Sequence, residues 1–204
     1  MDSLGIEGAW LFTPQIFHDG RGSFLEWYRA AELSDALGYT PEIAQANCSV
    51  SRQGVIRGVH FTDVPPGQAK YVTCVNGAIL DVVVDVRVGS PSYGLWEAVR
   101  LDDQVQRAVY LSEGLGHAFM ALSPEATVVY FCSTAYAPGR EHAVNPLDTH
   151  LAIAWPTDVE PVLSDKDATA PTLSQAMRTE LLPRYDECMA YAARRRGSPG
   201  SGDC

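Results

Sequence analysis

Short apolar segments alternate along most of the chain with clusters of Gly, Pro, Asn and Asp. The segments are rich in Val, Ile, Tyr and Thr, which suit the pleated surface of a sheet. Regular spacing of such segments is typical of an all-β sandwich or barrel. The predicted strands span residues 44–50, 71–75, 79–86, 96–101, 108–111 and 127–132. Asn76-Gly77, between two of them, predicts a tight hairpin, because a type I′ turn needs positive φ at both central positions.

The predicted strand 79–86 separates its side chains by face. Its even positions are all apolar, whereas its odd positions include Asp81 and Asp85. Successive side chains of a strand point to opposite faces, so the two acids share one face with Ile79 and Val83. An acid that faces the inside of a barrel is either a hydrogen-bonded structural residue or part of a site. For Asp81 both interpretations stay open.

Helices are predicted in few places, mainly near the C-terminus. Residues 30–37 could form a short one. The stretch from Thr172 to Gln175 has the spacing of a capping box, which predicts a helix over 176–182. After Pro183, a second helical stretch is predicted over 184–195, followed by a Gly/Ser/Pro-rich segment. We therefore expect a single domain over 1–196 and a flexible tail over 197–204.

Composition and charge narrow the possible functions. The chain has 204 residues, 46% of them hydrophobic, which is enough to bury a core without disulfides or metals. Fifteen Lys and Arg residues stand against 25 Asp and Glu residues, a net charge of −10. No basic stripe could follow a nucleic-acid backbone, so nucleic-acid binding is excluded.

A cytoplasmic protein is expected. The first basic residue, Arg21, follows two acids, so no signal peptide is predicted, and Asp81 and Asp85 interrupt the most apolar run, so no membrane span is predicted. Five widely spaced cysteines without a CxxC pair fit reduced thiols better than disulfides or a zinc site. All five are expected to be ordinary core or tail residues, and Cys204 alone is expected to be freely reactive.

Three short clusters carry candidate chemistry. The first is Arg57-Gly58-Val59-His60 with the following PPGQAKY, the second ends at His117, and the third is SDKD at 164–167. Each alone is weak, because a histidine near a strand and a charged turn are common structural features. Together they supply a base, cations and an acid from distant segments of a small β protein. Sites at the mouths of β-barrels are assembled in this way.

A glycine before His60 and the later Gly114-x-x-His117 suggest the layout of a cupin. Many cupins bind a metal through two closely spaced histidines, a glutamate and the GxxH histidine. Phe61 and Thr62 follow His60, so the second histidine of that set is missing. No local 2-His-carboxylate spacing replaces it. We therefore predict no metal and keep a metal-dependent isomerase or oxygenase as a rival.

Seven blocks, taken in order, resemble one family. They are RGVH, PPGQAKYVTCVNG, DVVVDVRVGSP, YLSEGLGHAFMAL, VVYFCS, YAP with REH, and LSDKD. The chain is similar to the dTDP-4-dehydrorhamnose 3,5-epimerases, a family of metal-free cupins, over roughly residues 5–185, and most of all to its actinobacterial members. The resemblance implies a cupin-type β-barrel or jelly roll that uses no cofactor.

The resemblance also implies roles for particular residues. His60 matches the base that removes a proton next to the 4-keto group, Asp167 the acid that orients it, Tyr130 the proton donor on the opposite face and Lys70 the cation beside the ketone oxygen. The matched nucleotide-sugar contacts are Arg21, Glu26, Gln45, Asn47, Arg57, His117, Glu141 and Lys166, with Tyr136 stacking on thymine. His117 could instead simply pair with Asp81 inside the barrel. The family usually forms homodimers in which the segment around Arg21 and Glu26 reaches into the neighbouring subunit.

The predicted function is epimerisation of a dTDP-4-keto-6-deoxyhexose at C3, C5 or both, by deprotonation next to the ketone and reprotonation on the opposite face. The residue types suit this chemistry without the resemblance. An ammonium in a dry pocket stabilises an enolate, and a histidine is an effective base near neutral pH. The alternatives are a C3-only epimerase of the same family and a non-catalytic sugar-binding cupin.

Overall fold

The structure, a computed structural model, describes residues 1–197. Antiparallel strands dominate it, as the spacing of apolar segments predicts. In chain order the strands are β1 (Asp2–Ser3), β2 (Ala9–Phe12), β3 (Ile16–Asp19), β4 (Gly22–Leu25), β5 (Gln45–Arg52), β6 (Ile56–Thr62), β7 (Lys70–Asn76), β8 (Ala78–Val84), β9 (Trp96–Asp102), β10 (Ala108–Leu111), β11 (Gly116–Ala121), β12 (Glu125–Cys132) and β13 (Glu141–Ala143). The helices are α1 (Ala30–Leu37), α2 (Asp165–Ala168), α3 (Leu173–Arg178) and α4 (Tyr185–Gly197).

Two facing sheets form the barrel. The six-stranded sheet has the order β1-β2-β10-β7-β12-β5, and the five-stranded sheet has the order β13-β6-β11-β8-β9. Apolar side chains from both sheets meet between them, among them Val72 and Val128 from the first and Val83 and Phe119 from the second. This all-β, cupin-type architecture confirms the predicted fold class.

The Asn76-Gly77 hairpin prediction is wrong. β7 belongs to the six-stranded sheet and β8 to the five-stranded sheet, so the turn carries the chain from one wall of the barrel to the other. Of the two residues only Gly77 has positive φ, at 75°. A Cβ on Gly77 would lie 2.2 Å from the Glu125 carbonyl oxygen, so the close approach of the chain also requires glycine there.

Several strands lie outside the predicted set. The most important are β6 and β11, which carry His60 and His117. Every residue of β11 is buried, so this strand has no polar face and shows no alternation along the sequence. β8 also ends at Val84, two residues before the predicted end of that strand.

A second apolar cluster covers the outer face of the five-stranded sheet. Val82 and Val84, from the even face of β8, pack there against Trp155, Leu173 and Leu182 of the C-terminal third. The purely apolar face of that predicted strand is therefore the one that lies under the outer layer. The odd face, with Asp81, points between the sheets, as considered in the sequence analysis.

All three predicted helices are present, but α3 and α4 differ from the predicted bounds. α1 has the predicted bounds. The capping box of Thr172 and Gln175 is present, but the helix that it begins ends at Arg178, four residues before the predicted end. α4 includes Gly197, which was expected in the tail; the rest of the predicted tail, 198–204, lies outside the described residues. No helix in residues 1–197 is long and apolar enough to span a membrane.

The cysteines follow the expectation with one exception. Cys74, Cys132 and Cys188 are buried free thiols, whereas Cys48 is free and exposed on β5, so describing it as an ordinary core residue was wrong. Cys204 lies outside the described residues.

Candidate active site

Two glycines bring the site histidines together. His60 on β6 lies directly opposite His117 on β11 in the antiparallel register. A Cβ on Gly58 would lie 2.3 Å from the His117 carbonyl oxygen, and one on Gly116 would lie 2.7 Å from Val59 Cγ1. Only glycine at these two positions lets the strands approach closely enough to set the two imidazoles side by side on one wall of the barrel.

His60 forms a hydrogen bond with Asp167, 107 residues further along the chain. The distance from His60 Nε2 to Asp167 Oδ1 is 2.7 Å, and the Asp167 side chain is only 5% exposed. Asp167 lies in α2, whose N-terminus is capped by the Ser164 hydroxyl. Burial by itself raises the pKa of Asp167, but the hydrogen bond and charge of His60 outweigh it and hold that pKa below its ordinary value.

The ionised Asp167 carboxylate can only accept, so Nε2 of His60 carries the proton that it shares with the acid. The other ring nitrogen, Nδ1, then keeps its lone pair. This arrangement gives His60 the tautomer of a general base.

His117 and Asp81 form a second pair, with 2.7 Å between His117 Nε2 and Asp81 Oδ1. Both side chains are buried between the sheets. The second oxygen of Asp81 is buried without a hydrogen-bond partner among the described residues. The pairing considered for these two residues is therefore present, and His117 also lines the cavity described below.

Lys70 and Tyr130 lie on the opposite wall from His60, in β7 and β12. Lys70 is directly opposite Cys132 in the register, and Tyr130 is two residues before Cys132 on the same strand. Burial lowers the pKa of Lys70, while the neighbouring thiol and the negative charges of Glu141 and Asp81 act in the other direction. Burial raises the pKa of Tyr130, so the phenol is neutral near pH 7.

These side chains surround a cavity of about 460 Å³, a size typical of small-molecule sites. All the predicted site residues except Asp167, Lys166, Arg21 and Glu26 line it. Asp167 and Lys166 line an adjoining cavity of about 330 Å³, which shares His60 and Arg57 with the first. The structure thus brings eleven of the thirteen predicted residues to two connected spaces.

Arg21 and Glu26 are the two that it does not bring to the site. Arg21 lies at the tip of the hairpin formed by β3 and β4, is 91% exposed and pairs with Asp19. Glu26 is exposed and pairs with Arg29. The hairpin pairs only with itself among the strands of residues 1–197.

Sequence reasoning missed four residues that line the cavity: Cys48, Ser49, Gln68 and Phe119. Gln68 lies within the quoted PPGQAKY block. Two further residues lie behind the lining, and one of them, Cys132, adjoins Lys70. Ser51 holds Arg57 by accepting a hydrogen bond of 3.1 Å from its Nε. The alternation of polar residues along β5 was a usable signal for Ser51, since Gln45 and Asn47 precede it on the same face.

The donor chemistry of the site agrees with the incomplete histidine set seen in the sequence. Within residues 1–197, no group of three or more His, Cys, Asp or Glu side chains is placed to hold a metal ion. His142, the next histidine in sequence beyond the site, is engaged with Asp63 at 2.6 Å.

A jelly-roll barrel with a histidine paired to an aspartate on one wall, and a lysine and a phenol on the other, defines a cupin-type protein with a candidate acid–base site. Residues 3–175 match the family described as dTDP-4-dehydrorhamnose 3,5-epimerase. The chain belongs to this family.

Relatives of two kinds are similar over nearly the whole chain. The dTDP-4-dehydrorhamnose 3,5-epimerase of Streptomyces griseus is 58% identical, over 94% of this chain and 95% of its own. The dTDP-4-dehydro-6-deoxyglucose 3-epimerase of Streptomyces bikiniensis is 56% identical, over 91% and 94%. The crystal structure of the 3'-monoepimerase ChmJ from Streptomyces bikiniensis with dTDP-quinovose has a TM-score of 0.95 at 52% identity, covering 97% of this chain and 100% of ChmJ.

Proposed function

We propose that this protein is an epimerase of a dTDP-4-keto-6-deoxyhexose that inverts C3, C5 or both and acts in deoxysugar biosynthesis. The observation that carries the proposal is the position of His60 and Tyr130 on facing sheets. A sugar ring held between the sheets has the base on one face and the phenol on the other. Inversion requires that arrangement, because the proton must leave from one face and return to the opposite one.

The first half of the reaction belongs to His60 and Lys70. His60, held by Asp167 at 2.7 Å, takes the proton next to the ketone. The electrons move onto the ketone oxygen, and the Lys70 ammonium stabilises the resulting enolate. Asp167 stabilises the imidazolium that forms, because a carboxylate beside it favours the charged ring.

Tyr130 completes the inversion by giving its proton to the carbon from the other wall. The imidazolium and the phenolate then exchange protons with water, which restores both groups. The sugar is neither oxidised nor reduced in this cycle, so the proposed reaction needs no redox cofactor.

The cations and aromatic groups around the cavity fit the rest of the substrate. Arg57 and Lys166 line the adjoining space and are placed to bind the diphosphate, for which a planar guanidinium is well suited. Tyr136, exposed at the rim beside Gln45 and Glu141, is placed to stack on the nucleobase.

We also propose that the protein acts as a homodimer. The β3–β4 hairpin exposes Phe17 and Phe24 and carries Arg21 away from its own cavity. Docking on a second copy would bury these apolar rings and bring Arg21 and Glu26 to the partner's nucleotide.

Mixing Arg21→Ala with His60→Asn tests the dimer. A mixed dimer contains one site with both an intact base and an intact Arg21, so activity at subsaturating substrate should exceed that of either variant alone. If the mixture is no more active than its parts after subunit exchange, Arg21 does not act across subunits.

A cytoplasmic location is also proposed, since the four cysteines of the described residues are free thiols.

The test of the function is incubation with dTDP-4-keto-6-deoxyglucose in D₂O, with deuterium and configuration at C3 and C5 read by NMR. Label with inverted configuration at both carbons means a 3,5-epimerase, and label with inversion at C3 alone means a 3-epimerase. If neither carbon is labelled, the protein is a non-catalytic sugar-binding cupin and the proposal is wrong. Dialysis against EDTA before the assay should leave labelling unchanged.

A further inference from the structure

A line of side chains on β5 connects the rim of the cavity to the proposed proton donor. The Tyr136 backbone N–H donates to Gln45 Oε1 at 2.9 Å. Gln45 Nε2 donates to Asn47 Oδ1 at 2.7 Å. Asn47 Nδ2 in turn donates to the Cys132 sulfur at 3.6 Å, and Asn47 lies directly opposite Tyr130 in the register of β5 and β12.

The direction of every bond in this line is determined by its first member. A backbone N–H can only donate, so the Gln45 oxygen must face Tyr136 and its NH₂ group must face Asn47. The Asn47 oxygen therefore faces Gln45, and its NH₂ group faces β12, where it reaches Cys132 and where Tyr130 is the residue directly opposite. Toward Tyr130, therefore, Asn47 is a donor.

We propose that Gln45 and Asn47 are positioning residues that make the Tyr130 oxygen an acceptor toward the protein and so leave its O–H proton for the substrate. The inference rests on the proposed function and deepens it. If Asn47 were rotated by 180°, its oxygen would accept the phenol proton and hold it away from the sugar. Donation from Asn47 also stabilises the phenolate left after transfer, which agrees with its lowering effect on the pKa of Tyr130.

Two substitutions disturb the line at different distances from Tyr130. Asn47→Asp replaces the donor by a carboxylate, which can only accept and would hold the phenol proton. Gln45→Glu does not touch Tyr130, but it removes the N–H that orients the Asn47 oxygen. Gln53→Glu is the matched control, because it makes the same chemical change as Gln45→Glu at an exposed side chain that lines neither cavity.

The measurement is the ratio of inverted to retained product among deuterated molecules in one D₂O sample. This ratio reports how the enolate is partitioned between Tyr130 and the His60 face, and it does not depend on how much substrate is bound. We expect both substitutions to lower it by about tenfold or more, the effect of one lost hydrogen bond to a group that becomes charged. Gln53→Glu should leave it unchanged.

The Tyr130→Phe background separates positioning from a general disturbance of the site. There, Gln45→Glu should not lower the ratio further, since the residue through which it acts is gone. The inference is wrong if both single substitutions keep the ratio within twofold of wild type, or if Gln45→Glu lowers it equally with and without the phenol. Should Asn47→Asp fail to fold, Gln45→Glu decides alone. A wild-type protein that incorporates no deuterium would instead contradict the proposed function itself.

Discussion

Replacing Asp167 by Asn removes one negative charge at the base and little else. The two side chains have the same shape, so the amide oxygen can still accept from His60 Nε2 at the observed 2.7 Å. The Ser164 hydroxyl accepts from the backbone N–H of residue 167, a contact that the substitution leaves in place, so α2 should persist. The perturbation is therefore electrostatic, and it acts when His60 becomes positively charged in the transition state.

The magnitude follows from the burial and the distance. A hydrogen bond to a charged group contributes about 1.5–3 kcal/mol. The Asp167 side chain is only 5% exposed, so water cannot replace the lost charge effectively. At 1.36 kcal/mol per factor of ten, proton abstraction should slow by roughly 10- to 150-fold.

The assay is the initial rate of deuterium incorporation at C3 under saturating substrate. Asp165→Asn is the matched control, because it makes the same chemical change two residues away at an exposed position of the same helix. That control should retain the wild-type rate. If Asp167→Asn also labels C3 within twofold of wild type, the carboxylate does not support the base and the argument from geometry fails.

Three further outcomes are expected. Tyr130→Phe keeps the ring, so deuterium should still enter with retained configuration while inverted product falls by about 10²–10⁴-fold; full inversion would identify another donor. Arg57→Ala should weaken dTDP binding by about 1.5–3 kcal/mol in calorimetry, and unchanged affinity would remove Arg57 from the diphosphate site. Arg87→Ala should lower the free energy of unfolding by about 3–5 kcal/mol in urea, since it leaves buried Asp85 unpaired. Burial raises the pKa of Asp85, but hydrogen bonds from Arg87 and Ser90 outweigh it and hold that pKa below its ordinary value. The stability that this group gives the wild type is therefore complete above about pH 4 and is lost as the pH falls further. A free energy of unfolding that does not decrease below about pH 4 would contradict this.

The sequence predicted strands where one face is apolar and the other polar or where short apolar runs are bounded by turns. It missed β11, because this strand in the middle of a covered sheet is buried on both faces and does not alternate. It also missed β6, where two successive buried residues, Gly58 and Val59, interrupt the alternation. The sequence also placed the Asn76-Gly77 turn correctly, but the two strands that the turn connects, β7 and β8, are not paired with each other. Turn chemistry is local, whereas the assignment of β7 and β8 to different sheets depends on pairings with β10, β12 and β11 far along the chain.

The site shows the same division between local and distant information. Residue types in motifs pointed to His60, Lys70 and Tyr130, and the structure places all three at one cavity. The orientation of the amides of Gln45 and Asn47 could not be predicted, since it depends on a backbone N–H 91 residues away from Gln45. Residue identities can be read from a motif, but the direction of a hydrogen bond depends on the assembled barrel.

The pairing of β5 with β12 has a consequence for the order in which the chain can fold. Asn47 faces Tyr130 only through this pairing. Likewise, β2 can pair with β10 only after about a hundred more residues have been added to the chain. Such long-range contacts fold slowly, because loop-closure entropy is lost before the contacts form. During synthesis β5 must remain an unpaired edge until residue 132 has left the ribosome. His60 must wait longer still, for Asp167, so recovery of deuterium exchange after dilution from urea should follow the last step of refolding and lag behind the return of the β-sheet circular dichroism signal.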